Sequence, residues 1–193
     1  RFGLPGDLLG PDFLWAGSEG NVTMQGSHGW HADRPTESEE ELAFTRLKIN
    51  IYLDPVTMET GALRVLPGSH QLSFHRALNA LNETHQEMGE NDPLATPYGV
   101  PGPEVPFSPF ESQPGDAVYF NQSLFHAVFN GFPGRRYIAL KFAAQPTSEV
   151  HFRLLSDTGG FEFEPVPGFV ASDRPEVRAM ADRLVVAAVQ ARE

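Results

Sequence analysis

His31-Ala32-Asp33, with His126 far downstream and Arg135-Arg136 shortly after it, forms the set of residues whose types and spacing point to chemistry. Side chains two apart on an extended strand share a face, so His31 and Asp33 can reach one ion without bending the backbone. With His126 the set becomes two neutral imidazoles and one carboxylate. Three such donors cover one face of a metal and leave adjacent positions open, which suits non-haem iron(II) and oxidation chemistry. The tripeptide alone is a weak signal, because short motifs match by accident. Its surroundings must carry the weight.

Those surroundings read as strands and corners. Leu53-Asp54-Pro55 and Thr60-Gly61-Ala62-Leu63-Arg64-Val65-Leu66-Pro67-Gly68-Ser69-His70 suggest a strand, a turn and a second strand stopped by Pro-Gly. Gln113-Pro114-Gly115-Asp116 is a tight turn feeding Ala117-Val118-Tyr119-Phe120, followed by Ser123-Leu124-Phe125-His126. After a polar loop, Arg135 to Phe142 gives one more strand. Leu47, Ile49, Ile51 and Leu53 alternate with Lys48, Asn50 and Tyr52, the period-two sign of a half-buried strand.

Trp30-His31-Ala32-Asp33, the Gly61 to His70 block and the His126 to Arg135 segment, in that order, closely resemble the phytanoyl-CoA dioxygenase family of Fe(II)- and 2-oxoglutarate-dependent oxygenases. The resemblance runs over residues 9–142. It implies that His31, Asp33 and His126 hold iron(II) and that Arg135 grips the far carboxylate of 2-oxoglutarate, a task for which the planar guanidinium fork is suited. Arg136 is the competing clamp. Adjacent strand residues face opposite ways, so only one of the two arginines enters a barrel, and the family pattern favours Arg135. Asn50 stands where the family often places another residue lining the co-substrate pocket, frequently tryptophan. With O2 as oxidant, the implied reaction hydroxylates an unactivated C–H bond of a small organic metabolite and releases succinate and CO2.

The remaining histidines are expected to be structural or incidental. His70, at a strand-ending corner, reads as a histidine bonded to backbone; His28 as a loop residue; His75, His85 and His151 as solvent-facing or helix-surface positions. Glu37, Glu39, Glu40 and Glu41 read as a solvated loop or helix start rather than a second metal site. Phe125, Phe129 and Phe132, the loop around residues 17–29 and the proline-rich stretch at residues 91–109 are expected near the substrate pocket, although the phenylalanines suit a core equally well.

Length and composition agree with one domain spanning residues 1–193: 40% of the 193 residues are hydrophobic and 11% aromatic, enough to build a sizeable core. The formal charge of −11 argues against a nucleic acid or an anionic membrane as partner. There are no cysteines, which excludes disulfides and thiolate metal sites. No apolar run reaches the roughly 18 residues that a bilayer span needs, and no secretory signal is evident, so a soluble cytoplasmic protein is the expectation. The chain starts at arginine, and the resemblance implies a longer, helix-containing lead before the His-x-Asp motif.

Several short strands separated by Pro and Gly favour a sandwich or small barrel. The resemblance makes this a double-stranded β-helix, a jelly-roll or cupin-like barrel, mainly β with flanking helices. Residues 71–89 look helical or loop-like. Val177, Met180, Ala181, Leu184, Val185 and Ala188 recur at helical spacing after Ser172-Asp173-Arg174-Pro175, which predicts a final helix packed across the sheet. Because such barrels host unrelated activities, two rivals stand beside the oxygenase: a non-oxygenase cupin-like metalloenzyme, and a catalytically silent metabolite-binding member of the family.

Overall fold

The computed structural model describes residues 3–24, 26–34, 36, 38–88, 96–157 and 167–190. Among these residues, eight strands form two antiparallel four-stranded sheets. They are β1 (Leu14–Thr23), β2 (His28–His31), β3 (Arg46–Tyr52), β4 (Leu63–Val65), β5 (Ser108–Phe110), β6 (Ala117–Asn121), β7 (His126–Val128) and β8 (Arg135–Ala143), and the helices flanking them include the short α1 (Leu4–Leu9) and α6 (Pro167–Val170). The large sheet runs β1-β8-β3-β6 and the small sheet β2-β7-β4-β5. The fold is the cupin-like double-stranded β-helix.

β3 is not half-buried in the way its alternation suggests. It lies between β8 and β6. Its odd face packs Leu47 and Ile49 into a core with Phe142 and with residues of two helices, α5 (Glu149–Asp157) and α7 (Pro175–Gln190). Its even face carries Lys48, Asn50 and Tyr52, which line a cavity instead of meeting bulk water. Polar residues alternate with apolar ones here because the second face looks into the barrel.

The predicted final helix is α7. Met180, Ala181, Leu184 and Ala187 are buried on it, while Val185 faces outward. On the opposite side of the barrel, Trp30, Phe125, Phe129, Leu66 and Leu81 form a second core. Leu81 comes from α4 (Asn79–Met88), which follows α3 (Leu72–Ala77), so the segment read as helical or loop-like holds two helices. Glu37 lies outside the described residues, but from Glu39 on the acidic run is a helix start: Ser38 caps α2 (Glu39–Ala43) and exchanges bonds with Glu41 in a capping box.

Two local features depart from the sequence reading. Part of the proline-rich stretch, residues 91–95, lies outside the described residues, but Ser108–Phe110 pairs with β4 as a strand. Pro109 is tolerated there because β5 is the edge of its sheet. In β1 the register shifts between Trp15 and Ser18, and Gly17 takes φ 121° at that irregularity, a conformation that glycine adopts without strain. Among the described residues, no helix is long and apolar enough to cross a membrane.

Candidate metal centre

β2 and β7 pair antiparallel with His31 directly opposite His126, and the two rings stand 4.3 Å apart. Asp33 sits in the bend just past β2. Its Oδ1 lies 3.5 Å from His126 Nε2 and 3.8 Å from His31 Nε2. One ligand atom from each of the three residues falls within 4.8 Å of the others. The sequence separates these donors by most of the barrel; one strand pairing and one bend bring them together.

Each imidazole is oriented by its own strand. His31 Nδ1 bonds the carbonyl of Gly29 at 2.8 Å, and His126 Nδ1 bonds that of Leu124 at 2.9 Å. A carbonyl only accepts, so each Nδ1 carries a proton and Nε2 is the ring nitrogen turned toward Asp33. Burial, followed by the neighbouring His126 and His28, holds His31 well below the usual histidine range, so it is neutral at neutral pH. Burial alone would raise Asp33, but His126, Lys48 and His31 outweigh it and hold the carboxyl well below the usual range. Neutral imidazole and ionised carboxylate are the states that a divalent ion requires, and the nitrogen and oxygen donors suit iron(II).

The three residues stand on the wall of a cavity of about 350 Å³. Arg135 lines the same cavity and is buried. Its guanidinium donates to the Gly61 carbonyl through Nη1, reaches Thr23 Oγ1 at 3.5 Å through Nε and lies over the Tyr137 ring at 5.6 Å. Arg136 points the other way. It is 55% exposed and pairs with Asp54, Nη2 to Oδ1 at 2.8 Å and Nε to Oδ2 at 3.1 Å. The strand alternation that separates the two arginines therefore sets Arg135 in the cavity and Arg136 outside it. Asn50 also lines the cavity, and its buried Oδ1 has no hydrogen-bond partner among the described residues.

Several expectations need correction. His75 is fully buried rather than solvent-facing. Its Nδ1 bonds the Ser69 carbonyl at 3.0 Å, and its Nε2 accepts from the Thr36 amide at 3.1 Å. His70, expected to be the structural histidine of this corner, is exposed. Phe125 and Phe129 belong to the core behind the small sheet and do not wall the cavity. Phe132 does not line it either. The walls come instead from Tyr52, Phe120 and Tyr137, with Thr23, Met24, Ser27 and His28 from the anticipated loop region. His28 is the first residue of β2, its ring 4.4 Å from that of His31. The side chain of His85 lies outside the described residues.

Lys48 escaped the sequence reading. Its Nζ bonds both Asp33 oxygens, at 3.1 and 3.3 Å. The available signal was its register: two residues before Asn50 on one strand, it must share Asn50's face.

A double-stranded β-helix with two histidines and an aspartate facing its interior is the class that fold and site define. The profile of Phytanoyl-CoA dioxygenase (PhyH) matches residues 12–130, and the chain belongs to that family. Membership brings with it the family's cofactor pair, iron(II) and 2-oxoglutarate, and the three converging donors fit the metal. No curated protein sequence matches. Among solved structures, EvdMO1 is 20% identical with a TM-score of 0.51, over 73% of this chain and 29% of its own. The non-heme monooxygenase ThoJ in its apo form is 19% identical with a TM-score of 0.51, over 74% of this chain and 51% of its own. HygX from Streptomyces hygroscopicus, with nickel and 2-oxoglutarate bound, is 19% identical with a TM-score of 0.49, over 72% of this chain and 59% of its own. The chain thus spans between under a third and somewhat over half of these proteins, and the likeness is one of fold.

Proposed function

We propose that this protein is an Fe(II)- and 2-oxoglutarate-dependent dioxygenase that hydroxylates an unactivated C–H bond of a small organic metabolite. The observation that carries the reading is the convergence of His31, Asp33 and His126 on one cavity wall with the buried Arg135 in the same cavity. His31 Nε2, His126 Nε2 and an Asp33 oxygen would hold the iron. Bound together, iron and co-substrate supply the oxidising power, with 2-oxoglutarate and O2 converted to succinate, CO2 and one new hydroxyl on the substrate.

The chain's own residues bind, orient and exclude. Arg135 gives the far carboxylate of 2-oxoglutarate a charge-assisted fork, already fixed by Gly61 and Thr23. Asn50 Oδ1, which has no partner among the described residues, is placed to accept a hydrogen bond from a cavity ligand. Tyr52, Phe120 and Tyr137 restrict water around the reacting carbon. Because Asp33 occupies the third protein position, no site is left there for a halide, which favours hydroxylation over halogenation. A cavity of about 350 Å³ lies in the range of small-molecule sites.

The deciding experiment adds Fe(II) and 2-oxoglutarate anaerobically and follows the weak visible absorption of the chelate. Wild type and Arg136→Ala should show the band, and Arg135→Ala should lose it at limiting co-substrate. Iron binding without a band in any of the three would move a non-oxygenase metalloenzyme or a silent binder ahead. Asp33→Ala should abolish succinate release.

A further inference from the structure

We infer that a second cavity, at the end of the large sheet behind Asp33, binds a compact oxyanion. It measures about 100 Å³ and is lined by Arg46, Arg34, Lys141, Gln122 and Asp33, with Phe142 and Leu155 closing its apolar side. Roughly three waters would fill that volume, at about 30 Å³ each. It is the right scale for a small tetrahedral or planar anion.

Arg46 is the reason to look there. It is 2% exposed, and none of its Nε, Nη1 and Nη2 atoms has a hydrogen-bond partner among the described residues. A buried guanidinium with five N–H donors and no acceptor is costly to fold around. The backbone gives it no freedom to escape. Arg46 opens β3 opposite Ala143, and its carbonyl accepts from the Gln122 amide at 2.9 Å. Burial and then the nearby Arg34 lower its pKa to about 10, with Asp33 and Glu41 acting against them. It remains a cation at neutral pH.

Among the described residues, the carboxylates that act on Arg46 are already engaged. Asp33 bonds Lys48, Glu41 takes Arg153 at 3.1 Å and the Ser38 amide at 3.3 Å, and Glu19 takes Lys141 at 2.9 Å. Arg46 therefore borders this small cavity with all three guanidinium nitrogens unmatched among the described residues, while the Asp33 carboxylate on the same wall is held by Lys48. An oxyanion would accept from the Arg46 fork in the geometry that guanidinium favours. Arg34 lines the same cavity and is half-buried. This site does not depend on the oxygenase reading, because its residues other than Asp33 are not part of the metal and co-substrate cavity.

The test uses the metal-free full chain in a zwitterionic buffer, with thermal unfolding followed as phosphate, acetate or chloride is added at matched ionic strength. Phosphate or acetate should raise the midpoint saturably where chloride does not, and the more effective of the two identifies the class as inorganic oxyanion or carboxylate. Arg46→Gln should weaken the response about tenfold or more, the scale of a lost charge-assisted fork, while Arg135→Ala keeps it. No rise in wild type, an equal rise in Arg46→Gln, or loss in Arg135→Ala instead would overturn the proposal. Should Arg46→Gln not fold, Arg34→Gln replaces it, with several-fold weakening expected and an unchanged response counting against the site.

Discussion

Lys48 Nζ lies 3.1 Å from Oδ2 of Asp33, so the carboxylate offered to a metal is also the counter-ion of a lysine. Lys48 stands directly across from Lys141 on the same face of the sheet, an arrangement that like charges disfavour. Each is matched by its own acid, Lys141 by Glu19 at 2.9 Å. A dication at the three donors must share Asp33 with this ammonium and face its charge. Lys48→Met is therefore expected to tighten binding of a divalent ion by about tenfold, read by competition with a chromophoric chelator. Unchanged or weaker binding would show that Lys48 orients Asp33 more than it competes for it.

Gly61 holds the cavity arginine through its carbonyl. It has φ 97°, and a Cβ there would meet Gly131 Cα at 2.7 Å and Arg135 Nη1 at 3.2 Å. Gly61→Ala should cost about 2–4 kcal/mol of stability from backbone strain and the clash with main chain. Urea unfolding measures this, and a loss under about 0.5 kcal/mol, the level of an ordinary surface change, would contradict the geometry.

His75 ties three segments together: its own helix α3, the Ser69 carbonyl and the Thr36 amide. Replacing it by alanine leaves a buried donor and acceptor unmatched and opens a cavity against Phe125, whose ring lies 5.0 Å away. The expected loss is about 2–4 kcal/mol. Calorimetric unfolding of the purified variant gives the value.

Acid should destabilise the metal-free chain through its buried histidines. His31 and His75 both have folded-state pKa values below the usual 6.5, each chiefly because burial disfavours the imidazolium. Below about pH 6.5 the unfolded chain takes up protons that the folded chain refuses. Stability therefore rises with pH through the window beneath that value, is fully present above it and is lost as pH falls. Asp33, depressed rather than raised, is ionised in both states over this window. The melting temperature should be lower at pH 5.5 than at pH 7.5, and His75→Ala should narrow the gap; a flat profile would refute the assignment.

What the sequence made legible was the part written in short-range spacing. His31 and Asp33 sit two apart, the Arg135-Arg136 pair had to split between faces, and the last helix announced itself by period. The double-stranded β-helix came with the order of the motifs. What stayed hidden depended on which side of a strand was inside. Nothing singled out Lys48, because the polar face of a half-buried strand usually meets water, but β3 has helices on one face and a polar cavity on the other. His75 was masked by the same habit: it follows a corner on a short helix, and only the return of Thr36 and Ser69 around it explains its burial. The aromatic residues of the cavity are those of β3, β6 and β8, not the phenylalanines beside His126, because the latter fall on the outer side of the small sheet.

The two imidazoles held by the carbonyls of Gly29 and Leu124 have a kinetic consequence. Their ring torsions are fixed when the barrel closes, so the entropy of ordering two ligands is spent during folding and not at the moment of capture. An incoming ion meets a rigid pair of lone pairs, and its speed of binding should follow how fast it sheds its own water. Slowly exchanging nickel should therefore load far more slowly than iron or zinc, although all three find the same finished cradle.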